Sequence, residues 1–258
     1  MKLHLVRIIV SLLTLFLGVA ADSLWLLYPS SKSKIPAMEI AQLHSQSRSE
    51  EILKVLMPNG VWGDVSQLDR FDRSEEIRAL SEAQVSAKDE RALGIAFLLA
   101  ALGDDYELNK GKLLDALNQC SCRSYPKDAQ CLDFISGYVM SLGRRGDDSL
   151  FEPLFNVSDK ADGCFAESLG CFYSDMLWER PEQFMKALES RNKEDQSRFC
   201  NWAESGNGSG TDEGMLRDMR HSLRRISAQS NSALAPVARR CLAGLEAGYK
   251  QTVANNKP

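Results

Sequence analysis

The chain has 258 residues, 44% hydrophobic and 26% charged, with a net charge of −4. That length holds one large domain or a short helical array, and so small a net charge argues against the broad cationic field of nucleic-acid and anionic-membrane binders. All seven cysteines lie beyond residue 119, which fits an oxidising compartment, and their odd number leaves at least one thiol outside any pairing within the monomer.

The chain opens with Lys2 and Arg7 ahead of an apolar run, Ile8 to Ala21, that ends in the small residues Val19, Ala20 and Ala21. A basic start, an apolar middle and a small-residue site are the parts of an export signal, so residues 1–21 are expected to be a signal peptide. The alternative is an uncleaved anchor over residues 8–28, because Leu24 to Tyr28 resumes the apolar run after Asp22 and Ser23. Both readings place the body outside the cytoplasm, periplasmic or secreted, and the second adds a membrane tether. Residues 22–36 form a linker in which Pro29 to Pro36 is rich in serine and lysine, and residues 37–258 form a single helical-repeat domain.

Met38, Ile40 and Leu43 begin a first helical region, and Ser47 to Glu50 has the spacing of a capping box that restarts a helix through Ile52, Val55 and Leu56. Pro58-Asn59-Gly60 stops it. Val61 to Leu68 reads as an irregular loop carrying Trp62, after which Asp72 with Glu75 caps another short helix. Alternating β-branched runs are too few for a sheet.

Residues 89–190 hold the pattern that organises the domain. Gly94, Gly137 and Gly170 each sit inside an apolar helical run; ten residues later Asp104, Asp147 or Arg180 starts a helix, and four beyond that Leu108, Phe151 or Phe184 opens a second run. Apolar pairs follow each glycine at two and three places: Ala96/Phe97, Val139/Met140 and Phe172/Tyr173. The pattern predicts an all-α fold, a short α-solenoid of stacked antiparallel helical hairpins, with a compact irregular helical bundle as the alternative. Glycine costs a helix about 1 kcal/mol relative to alanine, so its recurrence predicts a close approach by another helix at Gly94, Gly137 and Gly170. Gly103 and Gly146 fall where glycine ends helices, and Pro181 suits a first turn.

Paired helices recurring at 43 and then 33 residues resemble the broad superfamily of HEAT-like and tetratricopeptide-like helical repeats over Asp89 to Ser190. No copy carries the Trp-x-x-Leu-Gly-x-x-Tyr of a full tetratricopeptide pattern. The resemblance implies a scaffolding or binding surface for a protein partner and names no ligand.

The longer first interval places about ten extra residues in the linker Asn118 to Cys131, which holds Cys120, Cys122 and Cys131. A staple joining Cys131 to Cys122, or to Cys120, is the simplest account, and Cys120 alternatively reaches Cys164. Cys164 and Cys171 are seven residues apart on one helix, about 10.5 Å, too far to bridge each other; both are expected to face a neighbouring helix from which Cys200 reaches one of them. Phe165, Leu169, Phe172 and Met176 form one helix face, as do Leu216, Met219, Leu223 and Ile226, and a last helix around Leu234 to Tyr249 closes the open end.

The sequence contains no Gly-x-Ser-x-Gly elbow, phosphate-binding glycine loop or His-Glu-x-x-His pair. No cofactor, metal or catalytic residue is implied, and Gly206 to Gly210 reads as a loop before a helix capped by Thr211, Asp212 and Glu213. His221 and Arg217, Arg220, Arg224, Arg225, Arg239 and Arg240 read as a solvated face rather than a nucleic-acid site. Asn156-Val157-Ser158 and Asn207-Gly208-Ser209 match glycosylation acceptors. The expected function is therefore that of an exported, non-enzymatic interaction protein: an envelope scaffold, adaptor or protein inhibitor. A helical hydrolase acting on cell-wall or glycan material is the alternative.

Overall fold

The computed structural model describes residues 37–119, 127–161, 163–205, 213–229 and 232–255, with side chains described for all of these but 37–44, 127–133, 163, 164, 205 and 255. The elements are all helical: α1 (Ala37–Leu56), α2 (Arg73–Gln84), α3 (Asp89–Leu102), α4 (Tyr106–Gln119), α5 (Lys127–Arg144), α6 (Phe151–Ser158), α7 (Gly163–Glu179), α8 (Pro181–Glu189), α9 (Lys193–Ser205), α10 (Glu213–Ser227) and α11 (Ala235–Asn255). Single 3-10 turns lie at Val65–Gln67 and Asp148–Leu150. Among the described residues there is no strand, and no helix is long and apolar enough to cross a membrane. The expected signal peptide, anchor and tether of residues 1–36 lie outside the described residues, as do the glycine loop and the caps at Thr211 and Asp212.

The chain divides into two compact units, Met1–Arg48 and Ser49–Pro258. The first is represented by the opening part of α1, and the second holds the rest. Ser47 to Glu50 does not restart a helix; α1 runs through it without a break. The Ser49 hydroxyl donates instead to Glu82 of α2, 2.9 Å away, so its hydrogen bond is spent on tertiary packing rather than on a cap. Beyond Leu56 the loop is fixed locally. Asn59 Oδ1 accepts from the backbone N–H of Val61 and Trp62, and Gly60 takes a left-handed φ of 76°. Asp72 caps α2 by accepting from the Ser74 N–H.

Helix α3 is covered on several sides, with Gly94 through Ala100 all buried. It ends at Gly103, whose φ of 74° lets the last carbonyls be closed off. Three residues then connect it to α4, so the two form an antiparallel hairpin. Helices α3 and α5 run side by side in the same direction: Phe97 stacks on Tyr138 at 4.2 Å, and Arg145 donates to the Ala101 carbonyl at 3.1 Å. The C-terminal ends of α5 and α7 also meet, through Arg144 and Asp175 at 2.8 Å.

Gly94, Gly137 and Gly170 lie inside α3, α5 and α7, the first helices of their expected hairpins. Close approach is another matter. At Gly94 a β-carbon would collide with the Val61 carbonyl oxygen, so the neighbour is the loop after α1, not a helix; at Gly137 nothing among the described residues lies within 4 Å of that position. The expected helix contact at Gly137 is therefore absent among the described residues, because Tyr138 and Val139, not the glycine, face the core.

The second halves of the expected hairpins are unequal. Helix α4 has 14 residues, but α6 has 8 and α8 has 9, too short to cover the 18 of α5 and the 17 of α7. Helix α7 packs more extensively on α9 than on α8. The core there is an aromatic block of Phe151, Phe155, Phe172, Tyr173, Phe184 and Phe199, all at most 1% exposed. Each such side chain contributes roughly 1.5–3 kcal/mol by leaving water, and Phe155 stacks on Phe199 at 4.5 Å. Inside the block the Tyr173 hydroxyl is satisfied by Ser158 at 2.6 Å.

Helices α9 and α11 form the most extensive pair. Their contacts advance together, from Gln196 with Arg240 to Glu204 with Thr252, so they run parallel, and α10 lies between them in sequence. Gly244 and Gly248 admit the α9 backbone at Ser197 and Asn201. Cys200 is bonded to Cys241 there, with Cα atoms 5.1 Å apart and both residues fully buried. This corrects the expectation that Cys200 reaches Cys164 or Cys171: the glycine face of α11 brings Cys241 closer. Cys171 lies half-buried in α7. Cys131 belongs to α5, which begins at Lys127; the side chains of Cys120, Cys122, Cys131 and Cys164, and the stapled loop expected of them, lie outside the described residues.

Candidate functional site

The C-terminal ends of α3 and α5 and the start of α4 enclose a cleft of about 630 Å³, with Leu68 and Asp69 of the preceding loop on its far wall. Its floor is the last turn of α3, Ala100 to Gly103. A helix C-terminus presents unpaired carbonyls and the negative end of the helix dipole, and two arginines answer it. Arg73, at the start of α2, donates to the Leu102 carbonyl, and Arg145, just past α5, donates to Ala101. The same device recurs one helix further on, where Arg180 donates to the Gly143 carbonyl and pairs with Asp148 at 2.7 Å.

The opposite wall is a polar cluster centred on Asp147. One carboxylate oxygen accepts from the N–H and hydroxyl of Ser149, which makes Asp147 the cap of the 3-10 turn. The other accepts from the Tyr106 hydroxyl at 2.6 Å and from Lys110 Nζ at 3.0 Å. Lys110 also reaches Glu107 at 2.9 Å. Burial opposes ionisation of Asp147, but the hydrogen bonds from Ser149, Tyr106 and Lys110 outweigh it and hold the carboxyl down at about 2. Burial, then the bond to Asp147, pushes the Tyr106 phenol well above its ordinary value. Burial disfavours the Lys110 ammonium, yet its bonds to Glu107 and Asp147 raise it on balance.

These shifts limit the chemistry. A general acid near neutral pH needs a carboxyl raised toward 7, and a general base needs an unoccupied lone pair. Asp147 has neither. The arrangement is a rigid cradle carrying both signs of charge, suited to holding a polar segment. Among the described residues no group of three His, Cys, Asp or Glu side chains is placed to hold a metal ion.

A second feature lies on the loop after α1. Trp62 stacks on Phe134 at 4.0 Å, and Phe134 remains 39% exposed. Tyr138 also holds this loop: its hydroxyl oxygen accepts from the Gly63 N–H at 3.0 Å.

Of the residues singled out from the sequence, Asp147 and the helix ends at Gly103 and Gly146 fall in the cleft, while Gly94, Gly137, Gly170, Cys171 and Cys200 do not line it. Tyr106, Lys110, Arg73 and Arg145 were not singled out. Their only sequence signal is position near a helix end, where Arg73 and Arg145 find backbone carbonyls and Tyr106 and Lys110 find the Asp147 carboxylate. Cys241 was missed as well; its spacing to Gly244 and Gly248 marks one helix face. At the acceptor site Asn156-Val157-Ser158, the Asn156 carboxamide is bound by Arg191 at 2.8 Å and the Ser158 hydroxyl is buried against Leu154 and Tyr173. Compared with known proteins, the chain matches no family model, no curated protein and no solved structure, so its function is argued from its own residues.

Proposed function

We infer that this chain is an exported, non-enzymatic interaction protein that holds a protein partner at the cleft on the ends of α3 and α5. The observation that carries this reading is the engagement of the cleft's ionisable groups in fixed hydrogen bonds, with Asp147 held ionised near a pKa of about 2. A site built this way presents a preformed pattern of charges to a partner, and its central carboxylate, Asp147, is committed to hydrogen bonds rather than to proton transfer. The stacking of hairpins implied by the resemblance to helical repeats is supported by the parallel course of α3 and α5 and by the arginines that tie each helix end to the next. Export is supported by the buried Cys200–Cys241 bridge, which fits an oxidising compartment.

The test has two arms run on the same purified protein. Incubation with cell-wall and glycan material is expected to release no reducing ends above the blank. Immobilised wild type is expected to retain a partner from extracytoplasmic extract that Glu107→Arg, altered at the exposed rim of the cleft, does not retain. Release of reducing ends by wild type but not by Asp147→Asn would overturn the reading and assign a hydrolase.

A further inference from the structure

Helix α10 is strongly amphipathic in a way that leaves a cationic ridge outside. Its apolar residues Leu216, Met219, Leu223 and Ile226 are all buried to 1% exposure or less. On the opposite face Arg217, His221 and Arg224 follow each other at i, i+4 and i+7, all exposed, along about 10.5 Å of helix. From Glu213 to Asn255 the sequence has seven arginines and lysines against three carboxylates, a surplus of four in a chain whose net charge is −4. Structural work does not account for the ridge. Arg220 pairs with Glu246 at 2.8 Å, Arg239 donates to the Ser227 carbonyl and Arg240 to Gln196. Among the described residues no side-chain hydrogen bond or ion pair engages Arg224 or His221, and Arg217 has only its neighbour Asp218, at 3.6 Å.

An exposed aromatic ring lies on α7, a helix that packs on α10. The α7 residue Ser174 meets Met215, and Glu182 of α8 meets Arg225 at 3.7 Å. Trp178 lies one turn beyond Ser174 on the same face of α7, between Ser174 and Glu182 in sequence, and is 45% exposed.

We propose that Arg217, His221, Arg224 and Arg225, with Trp178 at their flank, form a docking face for an acidic segment of a protein partner, one that carries carboxylates at helical spacing and an apolar side chain for Trp178. Charge complementarity carries the assignment. Guanidinium forks bind carboxylates bidentately, and an exposed tryptophan among arginines is the composition of an interface anchor. A lipid surface is the poorer match, because the apolar side chains of α10 that would enter a bilayer are all committed to the core. A nucleic acid is the poorer match too: one ring with Asp218 and Glu182 beside it is not a stacking platform in a basic groove. This face is separate from the cleft at the ends of α3 and α5 and does not depend on it.

The test uses the full chain and a labelled helical peptide bearing glutamates at i, i+4 and i+7 with one leucine beside them. Binding is measured by fluorescence anisotropy. The expected result is saturable binding that weakens about tenfold or more in R217E/R224E and in Trp178→Ala, falls as salt rises, and is unchanged in Glu107→Arg. A peptide with lysines in place of the glutamates is expected to bind R217E/R224E better than it binds wild type. Circular dichroism of these surface variants checks that the fold is kept. Absence of binding to wild type, or equal binding by wild type and R217E/R224E, overturns the proposal. So does tighter binding of a single-stranded oligonucleotide or of anionic phospholipid vesicles with the same dependence on Arg217 and Arg224.

Discussion

The carbonyl oxygen of Ser197 in α9 lies against the α-carbon of Gly244 in α11, so that a β-carbon at 244 would overlap it and stand only 2.9 Å from the Ser197 carbonyl carbon. The clash is with helical backbone, which cannot rotate aside. Gly244→Ala is therefore expected to destabilise the protein by about 1–3 kcal/mol, roughly 2–4 °C in Tm for each kcal/mol. Gly137→Ala runs the other way. With nothing among the described residues within 4 Å of its β-carbon position and helical backbone around it, alanine is expected to stabilise by about 0.5–1 kcal/mol. Thermal unfolding of the two variants checks both signs, and a loss of stability in Gly137→Ala would show that some neighbour does need the glycine.

The bridge between Cys200 and Cys241 spans 41 residues of chain. Chain entropy gives such a loop about 4 kcal/mol of stabilisation at most, with less when native strain or residual structure intervenes. Urea unfolding is expected to show a lower midpoint for C200A/C241A. Adding a thiol reductant should move wild type toward that midpoint and move the variant less. A reductant that shifts both equally would mean that the bridge is not the group responding.

Asp147 gives a pH dependence whose sign follows from its depressed pKa. Its folded value of about 2 lies below the ordinary 3.8, so its contribution is complete above the ordinary value and is lost as pH falls through the window between the two. Because the carboxylate is partly solvated, the effect is expected to be about 1–2 kcal/mol. Asp147→Asn should be less stable than wild type at neutral pH and should show a flatter acid limb. Stability measured from pH 6 to pH 2 for both proteins decides it.

Much of this fold could be read before any coordinates. The stripes Phe165, Leu169, Phe172, Met176 and Leu216, Met219, Leu223, Ile226 are both buried as their spacing requires, and Gly103 ends α3 in the left-handed conformation expected of it. Helix lengths were less legible. Phe151 opens α6 and Pro181 opens α8 three residues ahead of Phe184, but no glycine or proline stands just past Ser158 or Ser190 to mark how soon they end. The cleft was least legible. Arg73, Tyr106 with Lys110, and Arg145 with Asp147 come from three separate stretches of chain, and only the parallel placement of α3 and α5 brings them together. The Cys200–Cys241 pairing was hidden for the same reason, since it joins helices separated in sequence by α10.

Export rests on the composition of residues 1–21 and is tested by the mature N-terminus. Mass spectrometry of protein recovered from its native cells is expected to find a chain beginning at Asp22. A chain still beginning at Met1 in membranes would establish the anchor over residues 8–28 instead.

The interaction role of the cleft is tested most directly by a photo-crosslinking amino acid placed at position 107 in living cells. Glu107 is on the rim with its side chain 80% exposed, and Val85, 90% exposed and away from the cleft lining, is the control position. The account predicts a discrete higher-mass adduct from position 107, none from position 85, and loss of the adduct when Asp147→Asn is added to loosen the wall. Identical adduct patterns from the two positions, or no adduct from position 107, would contradict it.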